Sequence, residues 1–232
     1  MTGTDEGAKA PTNLSVILTP GRSGSSLVAQ FLSQVGLTVA QDLVSGRLEN
    51  ANGFFEDARI VEIHKQLQSA LDVVPGFPPP SDWSRRNATA TARQRLLQHL
   101  LQEASRAGAT GLVVKDPRIA DFIPLWIQIL NRSEFRPRFI LAVRHPSASA
   151  ASLNRLIGRD RKLAELQWLT RTLNSITHTG ADFFVVHYED WSKDPVNTAF
   201  TLAQFCQSNI DSESDVEQAL RAVWNSRLDH FG

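Results

Sequence analysis

The sequence predicts a single α/β domain with a central parallel sheet flanked by helices. Short apolar runs at residues 14–18, 111–115, 138–143 and 182–187 read as buried strands. The segments between them carry helical spacing, and strands that are apolar throughout and alternate with helices call for a sheet covered on both faces. A length of 232 residues suits one such domain.

Taken in order, residues 1–13 are small, polar and without periodicity, and read as a disordered leader ahead of a domain spanning 14–232. The first strand ends at Thr19-Pro20-Gly21, a turn signal. From Ser25 a helical stripe follows through Leu27, Val28, Phe31, Leu32 and Val35, and Gly36 is a natural stop. Ile60, Ile63, Leu67 and Leu71 share one face of a helix over 59–71. The proline-rich stretch 75–83 is an irregular loop too short to divide domains. Further helices are expected over 88–107 and 122–130, and one long helical region over about 148–179.

Composition narrows the function. With 24 basic and 24 acidic side chains the formal net charge is zero, which argues against a blanket phosphate neutraliser of nucleic acid. The charges are not evenly spread: residues 131–171 hold nine basic against three acidic, and 172–232 hold three basic against nine acidic. Such a basic block is either a solvated face or the home of a compact anionic ligand. The one cysteine, Cys206, allows no internal disulfide and no cysteine-cluster zinc site, and fits a reducing, cytoplasmic setting. No apolar run reaches the ~18 residues of a membrane span, and the polar N-terminus lacks the apolar core of a signal peptide.

Ligands of parallel α/β sheets sit beyond the carboxyl ends of the strands. After the first strand comes Gly21-Arg22-Ser23-Gly24-Ser25-Ser26, leading into a helix. Glycines permit a tight turn there, and the helix N-terminus offers N–H groups and positive dipole to an anion. The same string could be a plain strand–turn–helix junction with a serine cap. It is not a Walker loop, because the spacing is shorter and no lysine precedes the serine pair. After the third strand, Arg144-His145-Pro146 opens a helix and Ser152 follows about two turns in. Arg144 and Ser152 could jointly hold a phosphate, or could be a surface arginine and an exposed helix serine.

Together, the strand–G-R-S-G-S-S–helix string and the strand–R-x-P–helix string with serine eight residues on resemble the sulfotransferases that use 3'-phosphoadenosine 5'-phosphosulfate. Two further strings fit: Val113-Val114-Lys115-Asp116-Pro117-Arg118 is similar to the lysine-bearing strand end of bacterial and tyrosylprotein members, and Tyr188-Glu189-Asp190 to the family's Y-E-D string. The resemblance implies a P-loop-like fold and sulfuryl transfer to a hydroxyl or amine by in-line displacement. It places Arg22, Ser23, Gly24, Ser25 and Ser26 around the phosphosulfate, Arg144 and Ser152 on the 3'-phosphate, and Tyr188 near the adenine. Lys115 and Arg22 would neutralise charge on the transferring group, so no metal is required.

The base differs from that of cytosolic members, which carry a histidine where this chain has Pro117. The string Asn52-Gly53-Phe54-Phe55-Glu56-Asp57 instead resembles that of members with a glutamate base, so Glu56 is the expected general base. Its alternative role is to complement the dipole of the following helix. Asp57, Arg59 and His64 could line the acceptor side, although His64 on an apolar helix reads first as a packing histidine. Arg118 could meet an anionic acceptor or pair with Asp116 or Asp121. The C-terminal R-K-G string of cytosolic members is missing, and the residues after Trp191 are acidic instead. Expected partners are a small-molecule or glycan acceptor, with no nucleic acid and no membrane span; a homo-oligomer is left open. The rival classes are a P-loop-type nucleotide kinase or hydrolase, and a non-catalytic nucleotide-binding module of the same fold.

Overall fold

The computed structural model describes residues 10–45, 53–108, 110–132, 134–180, 183–208, 210 and 212–224. Four strands, β1 (Thr12–Leu18), β2 (Leu112–Lys115), β3 (Phe135–Val143) and β4 (Phe183–His187), form one sheet of order β2-β1-β3-β4. All three pairings are parallel, as the apolar strand pattern required. The direction of strand progression reverses between β1 and β3, and the crevice beyond their carboxyl ends is where such sheets take ligands.

Side chains alternate across the sheet, and each face has its own apolar core. Leu14, Val16 and Leu18 of β1 join Val114, Leu141 and Val143 in a cluster closed by helices α2 (Ala58–Leu71), α3 (Asn87–Ala107) and α4 (Ile123–Leu130). Ile17, Val113, Ile140, Ala142 and Val186 face the other way, against α1 (Ser25–Gln34). The α2 stripe of Ile60, Ile63, Leu67 and Leu71 is buried as its spacing demands.

The boundaries depart from expectation where charge or glycine masked them. β1 begins at Thr12, inside the expected leader, whose residues 1–9 lie outside the described residues. β3 starts at Phe135, because Arg136, Pro137 and Arg138 continue the pairing with β1 despite their polarity. The long helical region splits into α5 (Pro146–Ile157) and α6 (Arg161–Thr179). Gly158, at φ +68°, ends α5 in the left-handed conformation, and the Asp160 carboxylate caps α6 through the Leu163 N–H.

Beyond β4 lie α7 (Asp190–Lys193), α8 (Pro195–Phe205) and α9 (Glu213–Trp224). Val216 and Val223 of α9 and Leu202 of α8 close the second core over α1, so the acidic C-terminal segment covers a helix. Cys206 is buried there, and burial pushes its thiol up to about 11. Among the described residues no helix is long and apolar enough to cross a membrane.

One ion pair joins the layers. Arg171 of α6 donates from Nε and Nη2 to the two oxygens of Asp121, both at 2.7 Å, and from Nη1 to the Pro20 carbonyl at 3.3 Å. Both side chains are buried, and burial would lower the guanidinium pKa, but Asp121 outweighs it and the pKa is raised. Asp121→Asn, which leaves the buried cation uncompensated, is expected to cost about 3–5 kcal/mol in urea unfolding. The apolar double replacement Arg171→Met/Asp121→Leu should cost less.

Candidate active site

The first turn after β1 is built from hydroxyls and strain. The Ser23 hydroxyl donates to the Ala142 carbonyl at 2.7 Å and lies 2.6 Å from the Thr19 hydroxyl, which accepts from the Gly21 N–H. Ser23 therefore fastens the loop to β3, and its side chain is turned into the protein. Arg22 is held at φ +57°, a conformation that non-glycine residues adopt only when neighbours enforce it. Its Nε donates to the Ser152 hydroxyl at 3.0 Å, and the Ser149 hydroxyl reaches the Arg22 carbonyl at 3.5 Å. Gly24, at φ +79°, starts α1, whose first turn has no side-chain cap among the described residues. That leaves the helix N-terminus as an anion-facing feature.

The second segment meets the first at the same sheet edge. The Arg144 guanidinium lies 4.3 Å from the centre of the Tyr188 ring, a cation–π contact. A Cβ on Gly24 would overlap that ring, so Tyr188 rests directly on the loop. The Y-E-D string is pinned to the end of β3: the Tyr188 N–H donates to Val143 O at 2.8 Å, and Glu189 accepts from the His145 N–H at 3.1 Å. Burial would raise the Glu189 carboxyl, but that bond together with its own backbone N–H, Arg144 and His187 holds it below its ordinary value. Ser152 is thus joined to Arg22 and Arg144 to Tyr188, so the two residues expected to hold one phosphate each contact a neighbouring part of the same sheet edge.

Lys115, at the end of β2, makes the third part. Its Nζ donates to Glu56 Oε1 at 2.7 Å and to the Phe54 carbonyl at 2.9 Å. The Ser26 hydroxyl donates to the same carbonyl at 3.2 Å, tying α1 to the glutamate segment. Phe55 between them sits at φ +52°. Glu56 Oε2 is 3.7 Å from the Arg118 guanidinium.

Behind this pair runs a buried chain that the sequence did not reveal. The Trp126 indole N–H donates to His64 Nε2 at 3.0 Å, and His64 Nδ1 lies 2.7 Å from Asp116 Oδ2. Because indole nitrogen only donates, Nε2 is the acceptor and Nδ1 carries the proton. Asp116 Oδ1 in turn accepts from the Arg118 N–H and guanidinium. Burial would raise the Asp116 carboxyl, but His64 and Arg118 hold it well below the usual range.

His64 is therefore a fully buried packing histidine. Asp57 caps α2 through the Arg59 and Ile60 N–H groups and binds His99 at 2.6 Å, while Arg59 pairs with Glu62 at the surface. The three do not form one acceptor wall. Trp83 packs at a tilt against Phe122 as a loop anchor, and Trp168 donates to the Arg144 carbonyl at 3.0 Å. The roles of Trp168, Asp121 and Arg171 rest on contacts distant in sequence, and no motif marks them.

The four-stranded parallel sheet thus brings the Gly21–Ser26 loop after β1, Arg144 after β3 and Lys115 at the end of β2 to one edge. No protein-family model matches the chain, and no curated protein matches it. Among solved structures, it is similar to the sulfotransferase domain of the Synechococcus PCC 7002 olefin synthase. The TM-score is 0.56 at 20% identity, covering 97% of this chain and 81% of that one. Sulfotransferase STF9 from Mycobacterium avium gives 0.55 at 15% identity, covering 93% and 69%. The sulfotransferase domain of the curacin biosynthetic pathway gives 0.53 at 20% identity, covering 91% and 78%. The chain has the fold these sulfotransferases share.

Two outcomes test the geometry. Gly24→Ala should displace Tyr188 and lower the melting temperature, since a left-handed φ and a ring both oppose the methyl group. For His99, burial would lower the pKa, but its hydrogen bond to Asp57 is the largest influence and raises it above 6.5. The pair's stabilisation is then full below pH 6.5 and is lost as pH rises through the folded value. His99→Gln should remove that decline from a plot of melting temperature against pH.

Proposed function

We propose that this protein transfers a sulfuryl group from 3'-phosphoadenosine 5'-phosphosulfate to a hydroxyl or amine acceptor. The observation that carries the reading is the meeting, at one edge of the sheet, of the Arg22 loop, the Arg144–Tyr188 corner and the Lys115–Glu56 pair. Five separate strings of sequence supply them, on a fold that sulfotransferases share. The residues fit a 3'-phosphoadenosine 5'-phosphosulfate donor: two arginines and a lysine stand at strand ends, and a helix N-terminus with no side-chain cap among the described residues stands beside an aromatic ring.

Bound there, the donor supplies an electrophilic sulfur and a bisphosphate leaving group. Arg22, Ser25, Ser26 and the backbone of Ser23 and Gly24 would face the phosphosulfate, with Ser152 orienting the Arg22 side chain. Arg144 would hold the 3'-phosphate, and Tyr188 would lie by the purine. Glu56 would receive the acceptor's proton at Oε2, the oxygen not bonded to Lys115. Lys115 would then place its positive charge where negative charge gathers during transfer. The acceptor class is a small molecule or glycan, and the setting cytoplasmic.

Calorimetry with adenosine 3',5'-bisphosphate and no magnesium is expected to show tight binding. Magnesium-dependent binding of ATP in its place would favour a nucleotide kinase or hydrolase and sink the proposal. Arg144→Ala should weaken bisphosphate binding by about 1.5–3 kcal/mol while changing adenosine 5'-monophosphate binding far less. Equal losses would remove Arg144 from the 3'-phosphate. Glu56→Gln keeps an acceptor for Lys115, and should lower turnover about 10²–10⁴-fold with bisphosphate affinity retained. Unchanged turnover would end the glutamate's role as base.

A further inference from the structure

Helix α6 is amphipathic in the inverted sense. Its buried face carries Ala164, Gln167, Arg171, Thr172 and Ser175. Its outward face carries Leu163, Leu166, Leu169, Leu173 and Ile176, each between 41% and 52% exposed. An outward run of five large aliphatic side chains on one helix is a contiguous apolar patch, and such patches mark interaction sites. Leu166, Leu169, Leu173 and Ile176 follow the three–four–three spacing of a coiled-coil seam.

We infer that this seam joins two copies of the chain through an antiparallel pairing of their α6 helices. The spacing reads the same in both directions, so a two-fold axis sets Leu166 against the partner copy's Ile176 and Leu169 against its Leu173. The pattern therefore complements itself. Charge selects the direction. One seam position earlier stands Lys162, which in the antiparallel pair faces the end of the other helix at Gly180. A cation there meets the negative end of the helix dipole. In a parallel pair the two Lys162 side chains would face each other.

The flanks agree with a protein partner. Thr170, Asn174 and Thr177 border the stripe, where a membrane-lying helix carries rows of lysine and arginine. Two short helices fall below the ~800 Å² per partner of a stable interface. Leu163 and the exposed Ile157, just ahead of α6, extend the apolar strip.

The test is the mass of the full chain in solution at about 100 μM, a concentration that detects weak association. Light scattering is expected to give twice the 25.7 kDa chain mass. Leu169→Glu with Leu173→Glu should return it to one chain mass with unchanged circular dichroism, since both side chains point outward. Cross-linking fixes the direction independently. A mixture of Leu166→Cys and Ile176→Cys proteins should form an oxidised heterodimer, and neither alone should, with native Cys206 buried out of reach. A monomeric wild type overturns the inference, as does a dimer that survives the double glutamate change. Cross-linking of Leu166→Cys by itself overturns the antiparallel arrangement. A monomer that floats with anionic lipid vesicles, and stops floating in the glutamate variant, makes the face a membrane surface instead.

Discussion

The arrangement of the site depends on a guanidinium buried beneath it. Arg171 and Asp121 neutralise each other where neither could remain alone, and the third bond, to the Pro20 carbonyl, fixes where the anion loop begins. The Ser23 hydroxyl on Ala142 fixes where the loop ends. Between those two points Arg22 has no relaxed conformation to adopt, and its left-handed backbone is the result. A residue counted in the basic block thus acts as scaffolding, and helix α6 braces a loop some 150 positions away in sequence.

The remaining pieces are held by bonds between elements. Phe54's carbonyl receives both the Ser26 hydroxyl and the Lys115 ammonium, so the glutamate segment has no independent position relative to the anion loop. Tyr188 is wedged between Gly24 and Arg144, and its backbone closes onto β3. The chain Trp126–His64–Asp116, fully buried and ending on the part-exposed Arg118, gives the β2 end its footing. Polar groups in such a network are each satisfied by the next, which is why they can lie in the interior.

Much of this was legible in the sequence, for identifiable reasons. Continuous apolar strands require a parallel sheet, and turn residues after β1 and β3 mark the edge where ligands bind. The loop, Arg144, Lys115 and Glu56 could be named because they stand at strand ends or in short local strings. The break at Gly158 could not, because Leu163 and Leu166 continue the apolar spacing on the wrong face of α6. The start of β3 was hidden by Arg136 and Pro137, which pair with β1 although one is charged and the other lacks an N–H. Arg171 with Asp121, and Arg22 with Ser152, are pairings made by the tertiary fold, and local pattern says nothing of them.

The uniform strand direction has a practical side. Arg22, Arg144 and Tyr188 follow strand ends and Lys115 is one, while β1 enters the sheet at Thr12, seven residues and roughly 23 Å from that edge. Anything joined ahead of Thr12, whether an affinity handle, a surface linker or a second protein, attaches at the opposite rim. The protein can be immobilised or fused by that end with the rim that carries Arg22, Lys115 and Arg144 left facing solution.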